Sequence, residues 1–152
     1  MSEDRFQHAR EQAQAQFESV RGLVAALETA EAYVEGDERD SGEKGEDARN
    51  AILEDALGVC VRDGWRSPGA AVQEGPEEYY ILLCTGGPAV RIIGELNKYS
   101  EPETARLEMQ DWFTPWTEYR PTNQEDHTFT TRIDTKAEEI LLTYARQFYF
   151  GD

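Results

Sequence analysis

Tyr79-Tyr80-Ile81-Leu82-Leu83-Cys84-Thr85-Gly86-Gly87-Pro88-Ala89-Val90-Arg91-Ile92-Ile93-Gly94-Glu95-Leu96 holds two β-rich apolar runs separated by a glycine-glycine-proline breaker. Glycine supplies the positive φ that a tight reversal needs, so the stretch predicts an antiparallel hairpin. Both faces of the first run are apolar, which predicts a cover on each side of the strand. The helical patterns at the two ends of the chain are the expected covers.

Upstream, residues 2–35 read as one helix. Phe17, Val20, Val24, Leu27 and Val34 recur at helical spacing, and Phe6 and Ala13 extend the stripe backwards. Ser2 and the acids after it suit the positive end of the helix dipole. Gly22 lies near the stripe, where it would admit a close neighbour. Residues 36–45 contain three glycines and no apolar side chain, so burial cannot offset their ordering entropy and a mobile acidic loop is expected. A second helix is expected over 46–57, with Ala48, Ile52 and Ala56 in line, Leu53 and Leu57 beside them, and Gly58 ending it. Residues 59–65 read as a strand and 67–76 as a surface loop.

Downstream, 104–110 alternates, with Ala105, Leu107 and Met109 inward and Thr104, Arg106, Glu108 and Gln110 outward, the mark of a strand with one wet face. Residues 116–120 read as one more short strand between Pro115 and Pro121. The polar residues 122–134 read as a loop. The last helix is expected over 135–148, with Thr135 as cap and Glu138 three residues on, a stripe of Ala137, Ile140 or Leu141, Tyr144 and Phe148, and Phe150 tucking the tail back. The fold class that follows is α+β: an antiparallel sheet of four to five strands packed by two N-terminal helices and a C-terminal helix. At 152 residues, the chain 1–152 reads as a single domain.

Charge is the strongest compositional signal, with 31 acids against 15 Lys plus Arg and a formal net charge of -16. Such a field repels nucleic acid and anionic membranes and attracts basic protein surfaces. No apolar run approaches the roughly 20 residues that span a bilayer, so a soluble, unexported protein is expected. Cys60 and Cys84 sit in apolar stretches, which predicts buried thiols in a reducing compartment rather than a disulfide. His8 and His127 are the only histidines and both read as solvated, leaving little material for histidine catalysis or metal ligation. Thr85-Gly86-Gly87-Pro88 precedes β-branched residues and not a helix, so it is a turn rather than a phosphate cradle. Asp37, Asp40, Glu43 and Asp47 miss the ligand spacing of a calcium loop. No catalytic residue, metal or cofactor is expected.

Two stretches remain as candidate binding surfaces. Between Glu28 and Asp47 nine acids, Glu28, Glu31, Glu35, Asp37, Glu38, Asp40, Glu43, Glu46 and Asp47, face only Arg39 and Lys44, a local net charge of -7. The second stretch, 111–120, holds Trp112, Phe113, Trp116 and Tyr119, more aromatic area than a strand edge requires; it seals one end of the core or forms an interface.

The run Leu82-Leu83-Cys84-Thr85-Gly86-Gly87-Pro88-Ala89-Val90, the segment Asp111-Trp112-Phe113-Thr114-Pro115-Trp116-Thr117-Glu118-Tyr119 and the ending Leu142-Thr143-Tyr144-Ala145-Arg146-Gln147-Phe148-Tyr149-Phe150-Gly151 together resemble an uncharacterised family of small acidic bacteriophage and prophage proteins. The resemblance covers about residue 48 to the C-terminus and implies a context: small acidic phage proteins often inhibit host defence complexes, some by imitating DNA. Two function classes follow. One is a non-enzymatic inhibitor, located in the host cytoplasm, whose acidic stretch engages the basic groove of a restriction or CRISPR complex by charge mimicry. The other is a small-molecule or nucleotide-binding protein with a pocket at Trp112, Trp116 and Tyr119 and an anchor at Arg91, Arg106 or Arg120. The expected partner is a host protein or nucleoprotein with a basic surface, without direct nucleic-acid or membrane binding. An exposed edge strand or aromatic patch would also allow a homodimer.

Overall fold

The structure is a computed structural model that describes residues 2–32, 38–70, 75–112, 114–124 and 131–151. Helices α1 (Ser2–Ala32) and α2 (Glu38–Asp55) precede a meander of five antiparallel strands: β1 (Gly58–Arg62), β2 (Glu78–Cys84), β3 (Ala89–Glu95), β4 (Arg106–Gln110) and β5 (Thr117–Tyr119). A two-stranded ribbon, β6 (Thr122–Gln124) with β7 (Thr131–Ile133), leads into α3 (Ala137–Ala145). The α+β class with two N-terminal helices and a C-terminal helix on one sheet is the architecture read from the pattern.

The hairpin at the centre forms as its glycines require. Gly86 takes φ +103, and the following Gly87–Pro88 bond is cis. Ile81 faces Ile92, and Ile92 faces Leu107, so one apolar row crosses three strands. A β-bulge between Leu82 and Cys84 puts Leu83 and Cys84 together opposite Val90, which swings Cys84 towards the helices. Tyr79, Ile81, Ile92, Leu107 and Met109 share one core cluster with Phe17, Val20, Val24 and Leu27 of α1, Ile52 of α2, and Leu141 and Tyr144 of α3. Phe150 tucks in against Tyr79, with ring centroids 4.8 Å apart.

Several boundaries differ from the sequence reading. The three helices meet one face of the sheet, so β2 is not covered on both sides: Tyr79, Ile81 and Leu83 are buried while Tyr80 and Leu82 are half-exposed on the other face. On that face Arg91 lies between the Tyr80 and Trp116 rings, so side chains of the sheet itself give partial cover. Helix α2 begins at Glu38, eight residues before the expected start, so residues 38–45 are helix and not loop. Two helical glycines cost about 2 kcal/mol, more than local propensity in this polar stretch returns, and the packing of α2 on α1 supplies what the local sequence lacks. Val34, Glu35, Gly36 and Asp37 lie outside the described residues. At its other end α2 stops at Asp55, and Gly58 opens β1 instead of capping the helix. Leu53 and Leu57, expected in the packed face, are exposed, as is Gly22, where an added Cβ meets nothing within 4 Å.

β6 and β7 stand where a loop is expected, since Thr-Asn-Gln and Thr-Arg-Ile carry no apolar alternation; their pairing with each other, Thr122 to Ile133, supplies what the pattern lacks. Thr135 does not cap α3. The N-cap is Lys136, with no side-chain cap, while Asp134 turns the chain by accepting from the Lys136 amide at 2.9 Å and the Ala137 amide at 3.3 Å. Of the expected α3 stripe, Ala137, Leu141 and Tyr144 are buried; Ile140 and Phe148 are half-buried, displaced by Ala145. Cys60 lies exposed on the edge strand and Cys84 is half-buried; both thiols are free, so only Cys84 approaches the buried thiol expected of each.

Candidate functional site

α1 and α2 pack on each other across a connection of residues 33–37, which makes them an antiparallel helical hairpin. Its construction follows from the apolar line: Val24 and Leu27 of α1 and Ile52 of α2 are buried in the core, with Ala48 and Ala56 half-buried beside it. The acids of the hairpin lie off that line. Glu28 and Glu31 in the last turns of α1 and Glu46 and Asp47 of α2 are exposed. The backbone of Glu38, Asp40 and Glu43 lies in the first turns of α2, and Glu35 and Asp37 lie outside the described residues. Glu28 and Glu31 thus lie near the end where α1 stops, and Glu46 and Asp47 lie midway along α2.

The helix dipole treats the two halves of this cluster oppositely. Acids at the start of α2 complement the positive end of its dipole. Glu28 and Glu31 sit at the negative end of α1, whose last turn has no basic residue, and each costs roughly 0.3–1 kcal/mol there. Local helix stability therefore does not account for these two carboxylates.

The aromatic stretch is dispersed rather than gathered. The Thr114 amide donates to the Asp111 carbonyl at 3.1 Å and the Thr114 hydroxyl accepts from the Asp111 amide at 2.9 Å, so the chain does not run extended from Asp111 to Thr114 and Trp112 and Trp116 do not share one side of a strand. Trp112 is exposed over the Gly87 backbone, and Phe113 lies outside the described residues. Trp116 lies on the open sheet face, 4.2 Å from the Arg91 guanidinium, which also faces the Tyr80 ring at 5.3 Å. Tyr119 points towards α1, where its hydroxyl donates to Gln14 Oε1 at 2.7 Å and burial pushes its phenol pKa up.

Arg91 is not available as an anion anchor. Its Nε and Nη2 both donate to Glu108 Oε1, at 3.0 and 2.7 Å, and the pair is largely withdrawn from water, with side-chain exposures of 18% and 12%. Arg106 reaches the other oxygen of Glu108 at 3.5 Å. Arg106 and Arg120 do line a cleft of about 250 Å³ together with Tyr119, between the β4–β5 edge and α3. Glu118, Asp134 and Glu138 line it too, and three carboxylates against two guanidinium groups do not make a site for a phosphate.

The remaining reactive groups fit structure better than chemistry. Burial raises the Cys84 thiol pKa, which disfavours the thiolate. His8 is exposed and His127 lies outside the described residues. Among the described residues no three His, Cys, Asp or Glu side chains converge as a metal would require, and no helix is long and apolar enough to cross a membrane. Gln14 and Glu108 were not singled out from the sequence: a glutamine in a Gln/Ala-rich helix and an outward glutamate carry no local signal, and only the pairing of distant elements gives them partners. No family model, curated protein or solved structure matches the chain.

Proposed function

We propose that this protein is a non-catalytic protein-binding inhibitor that presents the α1–α2 hairpin as an acidic surface to the basic nucleic-acid groove of a host defence complex of restriction or CRISPR type. The observation that carries the reading is the placement of Glu28, Glu31, Glu46 and Asp47, all exposed on one helical hairpin, two of them set against the helix dipole. Exposed carboxylates on adjoining helices would offer a basic groove the negative charge that a phosphate backbone offers, steering association and competing with DNA. The resemblance to small acidic phage proteins supports the choice of a defence complex and of the host cytoplasm. The small-ligand reading is weaker, because Trp112, Trp116 and Tyr119 do not line one pocket and Arg91 is held by Glu108.

The test is affinity capture from a bacterial lysate with the wild-type chain beside a variant carrying Glu28→Gln, Glu31→Gln, Glu46→Gln and Asp47→Asn. The wild type alone should retain a nucleic-acid-processing complex, the complex should release in rising salt, and bound protein should inhibit its DNA binding. Equal capture by both chains, or a complex whose affinity is indifferent to salt, would sink the charge-mimicry reading.

A further inference from the structure

Among the described residues, five of the nine exposed large hydrophobic side chains, Leu53, Leu57, Val59, Val61 and Trp65, fall within a short span around β1, and Trp65 is fully exposed. β1 is the edge of the sheet, and among the described residues no strand pairs with its outer side. The Arg62 carbonyl accepts from the Glu77 amide at 3.0 Å, so the backbone groups of Arg62 point at β2. Alternation then assigns Gly58 and Cys60 to β2 as well, and turns the N–H and C=O of Val59 and Val61 outward. An open edge with β-branched residues and no lysine or proline is a template for another strand.

We propose that β1 pairs with β1 of a second copy about a two-fold axis at Cys60, joining two five-stranded sheets into one continuous antiparallel sheet. In this register Val59 of each copy faces Val61 of the other, and both pairs exchange their main-chain hydrogen bonds. Arg62 of each copy falls opposite Gly58 of the other, so no like charges oppose each other within the paired strands. The exposed Leu53, Leu57 and Trp65 flank β1 in the chain. Centring the pair on Val61 instead would set the Asp63 carboxylate of each copy beside the other's Val59. Arg62 at this edge is ion-paired to Glu78 of β2, and the edge lies outside the 28–47 stretch proposed to bind the target.

Sedimentation of the full chain from about 1 µM to about 1 mM tests this, because a self-association shifts with protein concentration by mass action. The wild type should form a dimer that tightens as salt screens the repulsion between copies, the opposite of the salt dependence expected for target binding. Val61→Lys should weaken it at least about 100-fold, since a lysine on each copy would be buried beside the other's Val59. A second measurement does not depend on that variant. In the Cys84→Ala chain the two Cys60 residues form a non-hydrogen-bonded pair, with Cα atoms about 4.5 Å apart, inside the range that a disulfide spans. Diamide should take two electrons and two protons from the two thiols and leave a covalent dimer, which the chain also carrying Cys60→Ser should not form. A chain that stays monomeric at the highest concentration overturns the proposal, as does a dimer that neither responds to Val61→Lys nor cross-links at Cys60. A monomer that captures a strand of another protein at β1 overturns self-pairing in favour of a heterologous partner.

Discussion

Replacing Gln14 should show how far one polar side chain ties α1 to the far edge of the sheet. Gln14 Nε2 donates to the Thr122 carbonyl at 2.9 Å, and Oε1 accepts from the Tyr119 hydroxyl at 2.7 Å, the Thr122 amide at 3.0 Å and the Thr122 hydroxyl at 3.2 Å. All four contacts are partly buried, so Gln14→Ala leaves two backbone groups and a phenol without a partner that water can only partly replace. An ordinary hydrogen bond contributes about 1 kcal/mol net and an unsatisfied buried group costs about 1–3 kcal/mol. Three donors share the two lone pairs of Oε1, so the longest contact contributes least, and the variant should lose about 3 kcal/mol. For a chain of this size that lowers Tm by roughly 6–12 °C. Gln14→Glu keeps the three accepted bonds but sets a carboxylate against the Thr122 carbonyl, and should lose about half as much. Urea unfolding followed by circular dichroism gives the magnitude, and amide exchange gives the place: β5 and β6 should lose protection before β2 and β3. A loss below about 1 kcal/mol in Gln14→Ala, or exchange that rises evenly across the sheet, would refute the reasoning.

Two glycines should respond to alanine with opposite signs. At Gly94 an added Cβ would lie 1.9 Å from the Thr104 carbonyl oxygen, backbone against backbone, so Gly94→Ala should cost at least about 3 kcal/mol in urea unfolding; at Gly22 nothing lies within 4 Å and the site is helical, so Gly22→Ala should raise stability by up to about 1 kcal/mol. Arg91→Lys exchanges a planar group that donates twice to Glu108 and stacks on Trp116 for a point charge, and thermal unfolding should register a loss of about 1–3 kcal/mol. Burial raises the phenol pKa of Tyr79 and Tyr144 above the ordinary value of 10.0, with the Asp55 carboxylate adding to the shift at Tyr144. The folded state then holds these protons more tightly than the unfolded state, so their stabilisation is complete below about pH 10 and is lost as pH rises above it. Tyr144→Phe gives up the 2.8 Å bond to Asp55, lowering the plateau by about 1 kcal/mol while flattening the alkaline decline of the urea midpoint.

Periodicity exposed what burial alone decides. The alternation of Ala105, Leu107 and Met109 located β4 and its wet face, and the spacing of Phe17, Val20, Val24 and Leu27 located the packed side of α1, because the two-residue and three-to-four-residue repeats of strand and helix are local geometry. Glycine and proline between 85 and 88 marked the central reversal for the same reason. Where the local signal was polar it misled: residues 38–45 and the ribbon strands β6 and β7 contain no apolar repeat, and what orders them, a neighbouring helix or a facing strand, is invisible within any short window.

The sequence by itself determined the class of the fold, the hairpin at its centre, the net charge of -16 and the narrow stretch in which the acids crowd, since these are properties of composition and of neighbours along the chain. Only the tertiary structure decided that all three helices take one face of the sheet, that Arg91 belongs to Glu108, that Trp112 and Trp116 part company, and that Leu53, Leu57, Val59, Val61 and Trp65 stay in water at one edge. Each of these depends on which distant residues meet. An apolar side chain is driven from water wherever it stands in the sequence, but which neighbour covers it, and which is left exposed for a partner, is settled when the elements pack.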